Sequence, residues 1–520
     1  MNIIDTNQEL ADQLRGLLDC HQLTTNPIAD PLYQECTLSG GPITTTTVAP
    51  GPVAPVGPPQ LLSSNPAQNE AVSGDSTVIK VKTFDDDMRR VRIRVQLPDN
   101  TRLRFTDAVQ VSSNGDEREY ELVVDTTLKG KYGYMLELID LSGNIESFPS
   151  GGGFTTFLVA EDEADVVNAA RSEIAQIINN HPTNLAAKFV RMGFHDCVGG
   201  CDGCIDMLNG DNFGLDVPIE ALQPVVGLYS HRGVTRADLW VLAALEGASG
   251  AQSGLATPLA FEMEWVGRPT CEDLNDACAD KNGDPVECSE SRGPHRELPS
   301  PHLDTHGLLE YFRAEFDYQE PWETVAIMGA HSIGTLAREN SGFNGINGWL
   351  GNTRDLNNGY YDALVGGASE ADVDDFETLM QSADWEQVYV NNEAIGTPNR
   401  WEYERGTDPD HFVMLNADIA LVRDLSGLIE DDEGKVTQCQ VRCGRRNGNG
   451  CALPRCPHAA ATWDAVVSYK FNNEQFLADF ETAFKKMLTT GADTSAGCVS
   501  VPCSVPSISR RILKKKFLRN

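Results

Sequence analysis

"AAKFVRMGFHDCVGGCDGCIDM", Ala186 to Met207, sets an arginine and a histidine four residues apart, then crowds three cysteines and three aspartates into a dozen positions. Three readings compete: a metal knot, a disulfide staple, or one wall of an active site. Leu185, Ala186, Phe189 and Phe194 trace one apolar face, so "NLAAKFVRMGFHD" reads as a helix. Arg191 and His195 then lie one turn apart on the same side. An imidazole titrates near neutrality and a guanidinium does not, so the pair can combine proton transfer with a fixed positive charge. Taken alone, it is equally a surface Arg–His pair.

Two further stretches raise the stakes. In "ETVAIMGAHSIG", residues 323–334, an apolar helix runs into Gly329, Ala330 and His331, and such small neighbours let a large group approach the histidine. By itself this is more often a packed core histidine. In "VMLNADIALVRD", Asp418 falls inside an apolar helical pattern. A buried carboxylate needs a partner, and a histidine N–H suits it.

The rest of the chain sets bounds. At 520 residues it has room for two to four domains. Its 76 acidic against 41 basic residues give a net charge of −35, which argues against nucleic acid and anionic membranes as partners. There is no apolar run long enough to span a bilayer. The opening "MNIIDTNQELADQL" lacks the layout of a secretory signal, and Asn-x-Ser/Thr sequons are absent. Yet 14 cysteines, many closely paired, suit an oxidising compartment. A missing first exon would reconcile these, with an extracellular location as the expectation.

Five segments are expected. Residues 1–36 form a short piece with Cys20 and Cys36, and 37–59 a Thr/Pro/Gly-rich linker. Residues 60–160 alternate apolar and polar positions between turns such as Asn114-Gly115, which predicts a β-sandwich. Its "YGYMLELIDLSGN" resembles the late strands of immunoglobulin-like or fibronectin-like modules, implying a spacer or adhesion role. Residues 163–490 turn to helical spacing with few strand patterns, and a basic tail occupies 491–520.

Order, spacing and residue type together resemble the plant-type (non-animal) haem peroxidase superfamily over about residues 165–490. Arg191-Met-Gly-Phe194-His195 resembles its distal helix, and Ile327-Met-Gly329-Ala-His331-Ser332-Ile-Gly334 its proximal stretch. Asn212 in "DNFGLD", "VTRADLWVLAALEG", Pro299 in "RELPSPHLDTHGLLEYF" and Asp418 supply further markers. "HDCVGGCDGC" looks most like a marine invertebrate and algal subgroup near the secreted, calcium-binding branches. The resemblance implies a mainly α-helical haem peroxidase fold behind the sandwich.

It also implies haem b, with His331 as axial ligand supported by Asp418. His195 would be the acid–base group, Arg191 the charge stabiliser, and Asn212 the partner of His195. Phe194 stands where intracellular members carry Trp, whereas Trp349 falls where those members carry a proximal Trp. The implied activity reduces hydrogen peroxide while oxidising small donors such as phenols by one-electron steps, with a place in the response to oxidative stress. Asp196, a carbonyl at Gly200 and Asp202 match a distal Ca²⁺ site, although Cys204 replaces a serine ligand and the loop is one residue short. Ser332, with ligands near Asn352 and Asn357, matches a second cation site. Cys197–Cys201 resembles a family disulfide. The rivals are an idle peroxidase fold serving adhesion or structure, and a zinc-stabilised helical module built on His195, Cys197, Cys201 and Cys204. Cys439, Cys443, Cys451 and Cys456 form a second cluster, expected to be disulfide-linked. Donor and oligomeric state are not specified by the sequence.

Overall fold

The computed structural model describes residues 58–84, 88–274, 278–280, 282, 284–336, 338–341, 349–366, 385–390, 400–405, 412–430, 436–439 and 456–490. The expected Cys20/Cys36 segment, all but the end of the linker, and the basic tail lie outside these residues.

Ten strands come first: β1 Gln60–Asn65, β2 Ala71–Val72, β3 Ser76–Phe84, β4 Met88–Gln96, β5 Thr106–Asp107, β6 Val109–Asn114, β7 Glu117–Asp125, β8 Gly130–Asp140, β9 Ile145–Phe148 and β10 Thr155–Val159. One sheet runs β1-β3-β7-β6; the other runs β2-β10-β8-β4-β5, with β9 also on β8. Period-two burial turns Ile79 and Val81 of β3 inward against Val91, Ile93 and Val95 of β4 and Tyr132, Tyr134, Leu136 and Leu138 of β8. The two sheets therefore share one core, as a sandwich does. On β10 the alternation serves two masters. Val159 and Phe157 face the sandwich core, while Leu158 joins the core of the helical region. Lys131 of β8 pairs with Glu173 at 2.5 Å, and His231 Nε2 meets the Asn69 carbonyl at 2.8 Å, so polar contacts flank the same seam.

The helical region holds α1 Glu163–Asn180, α2 Leu185–Cys197, α3 Asp216–Tyr229, α4 Arg236–Ala251, α5 Thr305–Phe316, α6 Pro321–Met328, α7 Gly359–Val365, α8 Asn416–Ile419, α9 Trp463–Phe471 and α10 Asn473–Met487. The starts of α1, α2 and α4 are capped by the side chains of Asp162, Asn184 and Thr235, each satisfying a free N–H of the first turn. Helix α4 is apolar nearly all round and lies at the centre. It meets α2 through glycines. A Cβ at Gly247 would sit 2.7 Å from the Ala186 carbonyl oxygen, and one at Gly193 2.6 Å from Ala244 Cβ. This close approach fixes the helix that carries Arg191 and His195.

Two expectations need correction. Strands are not scarce after residue 163: antiparallel pairing joins Glu386–Val390, Arg400–Arg405 and Phe412–Met414, and smaller hairpins join Cys278–Ala279 to Pro285–Val286 and Leu428–Glu430 to Val436–Gln438. "VMLNADIALVRD" is not one helix but a strand end followed by the single turn α8. Its apolar residues are buried because the segment threads the core, and a short threaded segment shows no solvent-facing period.

Gly247→Val should destabilise the chain by about 1–3 kcal/mol through overpacking against Ala186. Thermal unfolding reads this as a lower Tm; an unchanged Tm would contradict the α2–α4 contact.

Candidate active site

Helix α2 presents Arg191, Phe194 and His195 toward its C-terminal end. Phe194 meets the His195 ring edge-on, with centroids 5.5 Å apart, and stacks on Phe312 of α5 at 6.1 Å. The turn at Gly210–Asn212 folds back onto α2 and delivers Asn212. His195 Nδ1 lies 2.7 Å from Asn212 Oδ1, while Asn212 Nδ2 donates to the Asp206 carbonyl at 2.8 Å. That second bond orients the amide. Its oxygen faces the imidazole, so Nδ1 must carry the proton and Nε2 is left with a lone pair. Burial, reinforced by the Arg191 charge, pushes the His195 pKa down to about 3 despite the Asn212 bond. The ring is neutral at ordinary pH. Burial also lowers the Arg191 guanidinium to about 10, partly offset by Asp211, so it stays charged. Its Nη1 and Nη2 donate to the carbonyls of Phe213 and Asp211 at 3.0 and 2.7 Å.

The second histidine follows α6 on a 3₁₀ turn, Gly329–Ser332. Gly329 is required there: a Cβ would lie 2.4 Å from the Phe476 ring and 2.6 Å from the Tyr361 hydroxyl. His331 Nδ1 sits 2.7 Å from Asp418 Oδ1. Tyr360 Oη donates to the same oxygen at 2.7 Å; Trp349 Nε1 and the Leu415 amide donate to Oδ2 at 3.2 and 2.7 Å. Trp349 also stacks on the His331 ring, 4.1 Å between centroids at 17°. Burial, then the Asp418 charge, drives the Tyr360 pKa well above its usual value, keeping it a donor. With Nδ1 turned to a carboxylate, His331 Nε2 is available as a metal ligand. The His331 side chain remains 27% exposed although Asp418 is fully buried, so the described residues leave part of it uncovered. This donor set fits a haem iron.

The chain leaving His331 returns to the first histidine's side. Gly334 packs on Ala187 of α2, and Asn340 reaches Gly214 beyond the 210–212 turn. Pro299 is half-buried in the loop before α5; that loop's Pro301 carbonyl accepts the Ala417 amide at 3.1 Å, beside Asp418.

The predicted cation and thiol sites look different. Cys197–Cys201 is a disulfide, as are Cys204–Cys271, Cys278–Cys288 and Cys439–Cys456. The zinc alternative therefore has no thiolate, and His195 is committed to Asn212. Cys443 and Cys451 lie outside the described residues. Asp196 O and Gly200 O accept from Arg296 Nη1 at 2.7 and 2.8 Å, and the Asp202 carboxylate pairs with Arg296 Nη2. The donors expected to hold calcium thus surround a guanidinium. At the second expected site the Ser332 hydroxyl is buried without a partner, but Asn352 Oδ1 and Asn357 Oδ1 accept from the nearby amides of Arg354 and Gly359.

A family model described as Peroxidase matches residues 170–427. A protein of Yarrowia lipolytica named "Putative heme-binding peroxidase" is 27% identical over 292 residues, spanning 52% of this chain and 80% of that protein. Proteins of the same description from Candida albicans and Debaryomyces hansenii are 25% and 24% identical, over 48% and 51% of this chain and 74% and 54% of theirs. Among solved structures, the Leishmania major pseudoperoxidase is 16% identical over 64% of this chain and 94% of that one, at a TM-score of 0.36, too slight a likeness to bear on activity.

Sequence reading missed Tyr360 and Arg296 as members of these networks. Removing Asp418 as Asp418→Ala would leave three side chains and one amide without an acceptor, at about 3–5 kcal/mol. Tyr360→Phe loses one bond and should cost about 1 kcal/mol. Chemical denaturation of both variants checks the order; equal losses would refute the network.

Proposed function

We propose that the chain is a haem-dependent peroxidase that reduces hydrogen peroxide to water and oxidises small one-electron donors, phenols among them. The observation that carries this reading is the pair of imidazoles with Nδ1 pinned and Nε2 free, one pinned by a carboxylate and the other by an amide. His331 Nε2 would hold the haem iron, and that group supplies the redox chemistry when bound. The carboxylate of Asp418 draws the His331 Nδ1 proton toward itself, which gives the ligand imidazolate character and makes it a stronger electron donor. The neutral Asn212 has no such pull. It fixes the ring of His195 so that Nε2 can take a proton from peroxide and return it to the departing oxygen. Two of the five N–H groups of Arg191 hold loop carbonyls, which immobilises the guanidinium; its remaining donors and its charge offset the negative charge on that oxygen. The Peroxidase family-model match over residues 170–427 and the similarity to proteins named heme-binding peroxidases support the same reading. The four disulfides among the described residues suit an extracellular or otherwise oxidising setting. We assign the sandwich, for which an immunoglobulin-like or fibronectin-like kinship remains part of the proposal, a spacer or adhesion role.

Haem titrated into the purified chain should give a Soret band that peroxide shifts, with turnover of a phenolic donor. Haem uptake with no response to peroxide would instead mean an idle fold. His195→Leu should retain haem yet slow the peroxide reaction by about 10²–10⁴-fold. His331→Ala should lose the axial ligation, seen as a changed haem spectrum; an identical spectrum would refute that assignment.

The pH profile offers a separate check. The base form of His195 persists above its folded pKa of about 3, not above the ordinary histidine value of about 6.5. The rate of the peroxide step should therefore stay level as pH falls through 6.5 and decline only toward the acid limit of the fold. An acid limb centred near 6.5 would show that the ring is not desolvated as described.

A further inference from the structure

The last turn of α2 and the loop that follows it, Val198–Cys204, direct three oxygen donors at one point: the Asp196 carbonyl, the Gly200 carbonyl and the Asp202 carboxylate. Two carboxylates, Asp196 at the end of α2 and Asp202 in the loop, with carbonyls beside them, are the composition a hard cation prefers. That point is occupied by a side chain of the protein. Arg296, from a loop about a hundred residues further on, enters with its guanidinium and bonds all three groups. We infer that Arg296 is a tethered cation standing in place of calcium, and that it positions the end of the His195 helix without metal.

Three features carry this. Geometry comes first. Calcium needs its oxygens at about 2.3–2.6 Å, converging on a single centre. Here the same oxygens already accept N–H donors, so an ion and the guanidinium are mutually exclusive occupants. Second, the loop is shaped to the arginine. Gly199 has φ +80°, and a Cβ there would lie 3.2 Å from Arg296 Cδ and 3.3 Å from Nε. The path of the side chain, as well as its head, is therefore accommodated. Third, Cys204 at the end of the loop offers no oxygen from its side chain, and its sulfur is bonded to Cys271. Its backbone amide is spent on Asp196 Oδ1 at 3.1 Å and Asp202 Oδ1 at 3.2 Å.

The arrangement is buried and well defined. The Asp202 side chain is 3% exposed and that of Arg296 14%. Asp196 Oδ2 is buried without a hydrogen-bond partner, so the pocket keeps one oxygen that the arginine does not reach. Removing the guanidinium should therefore expose a donor set to which free calcium can bind. Arg296 acts as a positioning residue, since Asp196 directly follows His195 and the Asp196 carbonyl belongs to the last turn of α2.

The inference concerns cation occupancy and stands apart from the peroxide reading, because its test needs neither haem nor turnover. The full chain is unfolded thermally in EGTA and in millimolar calcium, alongside Arg296→Ala and Arg296→Lys. The parent should show the same Tm in both media and no stoichiometric calcium by metal analysis. Arg296→Ala should fall by roughly 5 °C in EGTA and recover on adding calcium; Arg296→Lys, which keeps the charge but not the fork, should lie between. A parent that loses stability in EGTA would overturn the proposal, as would an Arg296→Ala variant equal to the parent in EGTA. If calcium failed to raise the Tm of Arg296→Ala, Arg296 would be an ordinary ion-pair partner and the equivalence would fall. Should Arg296→Ala not fold, the parent's response to EGTA and the Arg296→Lys response to calcium decide the matter: indifference of the parent with a gain for Lys upholds it, and the reverse overturns it.

Discussion

A fully buried carboxylate, Asp418, is the group on which the site depends. Stripping a carboxylate of water costs several kcal/mol, and the cost is offset only when every lone pair finds a donor. Four donors converge on it: His331, Tyr360, Trp349 and the Leu415 amide. They come from four different segments, so one charge ties together the 3₁₀ turn after α6, the Trp349 segment, α7 and α8. The Trp349 ring, fixed by its N–H, in turn lies flat on His331 and sets the plane of that imidazole. Asp418 therefore determines three things about His331 at once: its tautomer, its orientation and the electron density on Nε2.

The contrast with His195 is chemical rather than positional. Both rings are pinned through Nδ1, at the same 2.7 Å. A carboxylate stabilises positive charge on the ring and polarises its N–H; an amide oxygen orients the ring with much less effect on its charge. Arg191, one turn away, adds further pressure against the imidazolium. One histidine is thereby made a strong electron donor and the other a weak, neutral base. The division of labour follows from which acceptor stands behind each ring, Asp418 or Asn212. Tyr360 moderates it, because its hydroxyl competes with His331 for the same carboxylate oxygen.

The helices were legible where the chain alternates between core and surface. α1, α2 and α10 each show an apolar stripe, and the alternating strands β3, β4 and β8 were equally plain. The segment around Asp418 was not. Its residues are buried on all sides, so they show no period, and a strand followed by one helical turn looks the same in sequence as a continuous apolar helix. Tyr360 went unrecognised because a tyrosine in "GYYDALV" reads as core, and its carboxylate partner lies 58 positions away. Arg296 is the harder case. An arginine in a proline-rich loop carries no local signal, and its partners precede it by 94 to 100 residues. Residues that act through local geometry can be read from spacing; residues that complete a distant charge cannot.

The same loop shows how substitutions at separate places become mutually consistent. A cysteine where a metal ligand would serve is a poor calcium donor. Here the Cys204 sulfur is removed from coordination altogether by its bond to Cys271, and Arg236 lies across that bond, 2.9 Å from the Cys204 sulfur and 2.7 Å from Glu272. Cys197–Cys201 closes the other end of the loop. Two covalent links and one guanidinium thus constrain a segment of eight residues, 197–204. Each link reduces the conformations open to the unfolded chain or neutralises a buried charge, and together they perform what an ion's converging bonds would otherwise do. A loop held this way owes its order to the chain itself and to oxidised sulfur, so its stability should follow the redox state of its surroundings rather than the supply of a divalent cation.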